Sequence, residues 1–216
     1  MAKTSRISML APGALERAAE ELCQGAVIAF PTDTVYGIGA HGYLEEAVAQ
    51  LYRVKKRPAA LPVPLLLPDP PELEAVCTGI PAVAWQLAER FWPGGLSLVL
   101  HRSDAVPDPV TAGGPTVAVR VPDHPLVQEL CRRIKAPLAA TSANLHGQPP
   151  PLTANAVQSV LGQRIALLLD GGACRGGVAS TVLDLTVWPP AILRAGPVRA
   201  EELSDIVPLA PIERSD

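Results

Sequence analysis

The stretch AFPTDTVYGIGA, residues 29–40, decides how the rest of the chain is read. It closes an apolar run, 26–30, whose length and β-branched content suit a buried strand, and then turns at once to Pro31 and the polar Thr32, Asp33 and Thr34. A strand therefore runs into a polar loop. Ligands of α/β sheets bind at strand ends, where the backbone is exposed and the scaffold behind it is rigid. Thr32, Asp33, Thr34 and Tyr36 supply hydroxyl and carboxylate groups. Gly37 and Gly39 allow a positive-φ turn or the close approach of a ligand to the backbone. A well-made corner with no ligand would carry the same pattern.

Working outward, Leu15, Ala18, Ala19 and Leu22 recur at helical spacing before the strand, and Gly25 is placed to end that helix. After the loop, Leu44, Ala47, Val48, Leu51 and Val54 recur in the same way, so Lys55, Lys56 and Arg57 fall in a last turn that Pro58 stops. This predicts a basic cluster, with Arg53, projected from a helix end; a cation-favouring helix C-terminus and a solvated face would explain it equally. Further strands are expected at 63–67, 96–100, 117–121, 138–140, 165–169, 181–185 and 191–193. Helices are expected at 82–91, 126–134, 153–161 and 201–206, with Thr153 as an N-cap. Such an alternation, without a strict βαβ rhythm, predicts one α/β domain with a twisted, open, mixed sheet flanked by helices. The ordered core should run from about 8 to 208, with a loose tail after Pro208.

At 216 residues the chain fits one domain with a substantial core. A net charge of -3 and 18% charged residues lack the basic excess of a protein that coats nucleic acid, so any anion site must be local. Cys23, Cys77, Cys131 and Cys174 form no CxxC pair and no histidine stands at metal-ligand spacing. Buried free thiols, a reducing cytoplasm and no bound metal are the expectation. The start of the chain has no apolar core of a signal peptide, and no window offers a membrane span. The glycines form neither a Walker nor a Rossmann fingerprint, and the scattered His41, His101, His124 and His146 are assigned no role.

PTDTVYGIGA, together with Lys55-Lys-Arg57-Pro58, Trp92-Pro-Gly94, Val119-Arg-Val-Pro122, Thr141-Ser-Ala-Asn144, Ser180-Thr-Val182 and Leu193-Arg194, resembles the YrdC family of L-threonylcarbamoyladenylate synthases. The elements occur in the family's order and cover nearly the whole chain. The resemblance implies an open, grooved α/β fold with a basic groove. It implies synthesis of threonylcarbamoyl-AMP and pyrophosphate from L-threonine, bicarbonate and ATP with Mg²⁺, for the threonylcarbamoyladenosine modification of tRNA. By residue, Lys55, Arg57, Ser142 and Asn144 match its catalytic KxR and SxN pairs. Thr34, Arg120, Ala140 and Ser180 match threonine-binding positions; Arg57, Thr116, Ser142, Asn144 and Arg194 match nucleotide-binding ones. Arginine's planar fork suits a bidentate grip on threonine's carboxylate. Implied partners are the enzymes that transfer threonylcarbamoyl to tRNA, with direct contact to tRNA or double-stranded RNA as a further expectation.

Where the family commonly has a polar residue and then a histidine that reaches threonine, this chain has Leu61 and Leu66. One substrate contact is expected to be missing. Three rival readings follow: a non-catalytic tRNA or double-stranded RNA-binding module, a paralogue with another amino-acid substrate, and a carbamoyltransferase relative of hydrogenase maturation, whose accessory segments are absent here.

Overall fold

The computed structural model describes residues 4–174 and 176–211. In chain order these form β1 (Ser5–Ser8), α1 (Ala14–Cys23), β2 (Ile28–Phe30), β3 (Gly37–His41), α2 (Glu45–Lys55), β4 (Leu65–Leu66), α3 (Leu73–Val76), α4 (Ala82–Phe91) and β5 (Leu96–His101). They continue with α5 (Asp108–Thr111), β6 (Thr116–Arg120), α6 (Pro125–Ile134), β7 (Leu138–Ser142), α7 (Ala154–Leu161), β8 (Leu167–Asp170), β9 (Thr181–Asp184), β10 (Ala191–Arg194) and α8 (Ala200–Ser204). The strands build one sheet in the order β1-β8-β2-β3-β7-β4-β6-β5-β9-β10. Pairings are mixed: β8 runs parallel to both β1 and β2, while β3 is antiparallel to β2 and β7. The expected α/β domain with a mixed, helix-flanked sheet is therefore present.

Period-two alternation sorts the strands onto two cores. Ala29, Ile38, Ala40, Ala139 and Leu168 face α2, α4 and α7, whereas Ile28, Phe30, Leu138, Ala140, Leu167 and Leu169 face α1 and α6. On this second face α1 and α6 cover only part of the sheet. Val99, Ala118 and Val182, farther along it, stay half-buried. The uncovered border beside Phe30, Leu66 and Ala140 holds the site.

Several local expectations are met. Gly25 takes a positive φ of 83° just beyond α1, and the Thr153 hydroxyl accepts the Ala156 N–H at 3.2 Å as the cap of α7. Others are corrected. The glycine-rich GIGAH is a central strand, β3, and neither Gly37 nor Gly39 has a positive φ. What they provide is room for the Phe30 ring: a Cβ at either position would stand 3.2 or 3.0 Å from its atoms. Strand β1 was also unforeseen, and β4 is only two residues long. Of the expected loose tail, Leu209 packs partly on the core and the Ala210 N–H donates to the Pro190 carbonyl at 2.8 Å; residues 212–216 lie outside the described ones.

Candidate functional site

The loop between β2 and β3 is organised by Thr32. Its hydroxyl accepts the N–H groups of Thr34 and Val35 at 3.1 and 3.3 Å and donates to the Val35 carbonyl at 2.7 Å. This fixes Asp33 and Thr34 at the strand ends. Tyr36 has no part in the site itself: fully buried, its hydroxyl donates to the Gly172 carbonyl at 2.8 Å, and burial pushes the phenol pKa up. Across the loop, a Cβ on Gly176 would stand 2.6 Å from the Asp33 carbonyl oxygen, and the Gly177 N–H donates to the Thr34 carbonyl at 2.8 Å. Glycine is needed at 176 for that close approach.

Arg120 ends β6, 6% exposed, and its Nη2 lies 2.7 and 2.6 Å from the two carboxylate oxygens of Asp33. Nε donates to the Gly94 carbonyl at 2.7 Å and Nη1 to the Thr34 hydroxyl at 3.3 Å. The Trp92-Pro-Gly94 motif thus supplies an anchor for Arg120. Burial lowers the arginine's pKa, a tendency that Asp33 opposes. Beside it, Ser180 is buried with its hydroxyl 2.9 Å from that of Ser97, and Arg194 donates to the Ser180 carbonyl through Nε and Nη2 at 2.9 and 2.7 Å. The sequence reading missed Ser97. Its signal was available, a single polar residue inside the apolar run 96–100.

Of the KxR pair, Lys55 meets the SxN pair rather than open solvent. Lys55, expected to project from a helix end, is 2% exposed. Its ammonium donates to the Ser142 carbonyl at 2.5 Å, the Ser142 hydroxyl at 3.2 Å and the Asn144 side-chain oxygen at 3.1 Å. All three of its donors are committed. Burial, reinforced by the Arg57 charge, brings its pKa down to about 8. Asn144 is spent likewise, its amide donating to the carbonyls of Leu145 and Gln148 at 2.9 and 2.6 Å. Lys56 takes a left-handed conformation, φ 52°, which turns the chain so that Arg57 faces another way. Arg57 donates to the Leu61 and Pro62 carbonyls at 3.1 and 2.9 Å.

These groups surround one cavity of about 200 Å³. Its wall includes Thr34, Arg57, Ala140, Ser142, Ser180 and both Arg120 and Arg194, with Thr32 and Ser97 added and an apolar side of Phe30, Pro64 and Leu66. Lys55 and Asn144 stand behind Ser142, outside the wall. Thr116 opens β6 at the end away from Arg120: it shares that residue's face, but four residue steps along the strand put the two roughly 13 Å apart. Leu66 pairs in register with Arg120, so an apolar side chain adjoins the arginine. Leu61 lies outside the wall, about two-fifths exposed. Among the described residues, the wall's charged side chains are the three arginines, and no group of three His, Cys, Asp or Glu is placed to hold a metal.

The family model Sua5/YciO/YrdC, described as telomere recombination, matches residues 20–196. The threonylcarbamoyl-AMP synthase of Pyrococcus abyssi is 44% identical over 184 residues, 85% of this chain and 54% of that protein. That of Bacillus subtilis is 42% identical over 194 residues, 89% of this chain and 56% of that protein. The chain spans about half the length of the curated relatives it matches. Among solved structures, P. abyssi Sua5 complexed with L-threonine superposes with a TM-score of 0.90 at 40% identity, covering 97% of this chain and 62% of that one. With the model aligned across most of its length and the fold shared nearly end to end, this chain belongs to the Sua5/YciO/YrdC family.

Proposed function

We propose that the chain is a threonylcarbamoyl-AMP synthase, joining L-threonine, bicarbonate and ATP and releasing pyrophosphate, for threonylcarbamoyladenosine in tRNA. The observation that carries this reading is the cavity in which hydroxyls of Thr34, Ser142 and Ser180 stand beside Arg57, Arg120 and Arg194, in a fold shared with a threonine-bound relative. Carboxylation of threonine's amine gives a carbamate; its oxygen attacks the α-phosphorus, and the bond to pyrophosphate breaks. An anion must approach a polyanion, so positive groups at fixed positions do most of the work. In this reading Thr34, Arg120, Ser180 and the backbone at Ala140 hold threonine. Arg57, Arg194 and Ser142 face the nucleotide, which makes the cavity a locally basic groove, while Lys55 and Asn144 hold Ser142 in place. We leave Thr116 at the margin of the nucleotide site.

Mg²⁺ enters with ATP, on the phosphates: among the described residues the cavity wall offers no carboxylate, and Asp33 is engaged by Arg120. The product is handed to enzymes that transfer threonylcarbamoyl to tRNA, in the cytoplasm, with tRNA or double-stranded RNA approaching the same groove. Among the described residues no helix is long and apolar enough to cross a membrane. Purified protein with threonine, bicarbonate, Mg²⁺ and ATP should yield threonine-dependent pyrophosphate and the adenylate. ATP binding without turnover at saturating threonine would overturn the reading.

Two consequences concern the amino acid. Thr34 and Ser180 already have protein partners, Thr32 with Arg120 and Ser97 with Arg194. Valine, lacking the hydroxyl, leaves neither orphaned, so its kcat/KM should fall only roughly tenfold below threonine's. Equal specificity constants would refute a hydroxyl contact. Leu66→His restores a hydrogen-bonding group beside Arg120 and should lower the threonine KM roughly three- to tenfold, read by titrating threonine in the same assay.

A further inference from the structure

Among the described residues, Asp33 is the one carboxylate ion-paired with a cavity arginine. Its geometry limits what Arg120 can offer a ligand. A guanidinium has five N–H groups. Nε is taken by Gly94, one Nη2 donor by both oxygens of Asp33 and one Nη1 donor by Thr34, all within 3.3 Å. One N–H on Nη1 and one on Nη2 remain, because the two oxygens of one carboxylate share the direction of a single Nη2 N–H. The arginine's charge is already matched by a carboxylate at 2.6 Å.

We propose that Asp33 is a positioning residue for the amino-acid substrate: it holds Nη2 so that Arg120 turns its uncommitted N–H groups toward the cavity, where they bind the substrate carboxylate. The idea rests on the synthase reading above. Asp33 is itself held by the Thr32-organised loop and by the glycine-177 bond to Thr34, so the orientation is built in before substrate arrives. Binding here depends on direction rather than net charge. This gives Asp33→Asn an unambiguous sign. Removing the negative charge makes the cavity more positive, which by charge alone would tighten an anion; loss of orientation weakens it.

The test compares threonine and ATP titrations of wild type and Asp33→Asn, with threonine affinity also measured by calorimetry. The expected result is a rise in threonine KM and Kd of roughly tenfold or more, with kcat and the ATP KM little changed. Unchanged or tighter threonine binding overturns the proposal, as does a loss confined to kcat and melting temperature, which a merely structural role would give. Should the asparagine variant melt below assay temperature, Asp33→Glu keeps the ion pair but moves the carboxylate by one methylene. A raised threonine KM in that variant supports the assignment, and wild-type kinetics overturn it. Failure of wild type to bind threonine at all would instead remove the synthase reading, leaving the two outcomes distinct.

Discussion

Lys55→Met should lose about 2–4 kcal/mol of stability and roughly a hundredfold in rate. Methionine matches the length of the stem but donates nothing, so the Ser142 carbonyl, the Ser142 hydroxyl and the buried Asn144 oxygen, now 2.5, 3.2 and 3.1 Å from the ammonium, lose their donor. Ser142 lines the cavity, and its displacement is what slows the reaction. The pH dependence identifies the cause. The folded pKa is lowered from 10.5 to about 8, so between those values the unfolded chain holds a proton that the folded chain has released. Wild-type stability gains a rising contribution from pH 8 to 10.5 that the methionine variant lacks. The cost of the substitution is thus smallest below pH 8 and largest near 10.5. Urea unfolding across that range measures it, and parallel pH profiles for the two proteins would contradict a charged, buried Lys55.

The sequence carried the long apolar periods well. Helix α4 spans the expected residues because its apolar spacing is uninterrupted and Trp92-Pro93 closes it. Strand β3 was hidden because glycine reads as loop, and only the Phe30 ring across the hairpin gives Gly37 and Gly39 their purpose. Strand β1 was hidden for another reason: it pairs Ser5 with Leu167 and Ile7 with Leu169, so its stability comes from the far end of the chain. Flanking Pro64 and Pro68 shorten β4, since proline has no N–H for the ladder. At the site, residue types and order were legible, but contacts between distant residues were not. Nothing local to Lys55 says that it turns inward to meet Asn144, nor does Arg120 announce Asp33. Pairings across 87 or 89 residues are decided by the sheet order.

Arg57→Ala should reduce adenylate-forming turnover by about 10²–10³ while leaving the melting temperature nearly unchanged. The contrast with Lys55 follows from where each side chain spends its donors. Arg57 is half-buried in the cavity wall and gives two N–H groups to the Leu61 and Pro62 carbonyls of an exposed loop, which water can serve in its absence. Three further N–H groups are left for an incoming phosphate. Their planar arrangement matters as well as their charge, so Arg57→Lys should recover only part of the rate. Loss of rate with unchanged urea midpoint, and partial recovery by lysine, would mark Arg57 as the cation that meets the polyanion. Wild-type turnover in Arg57→Ala would transfer that task to Arg194, the other cavity arginine without a carboxylate partner among the described residues.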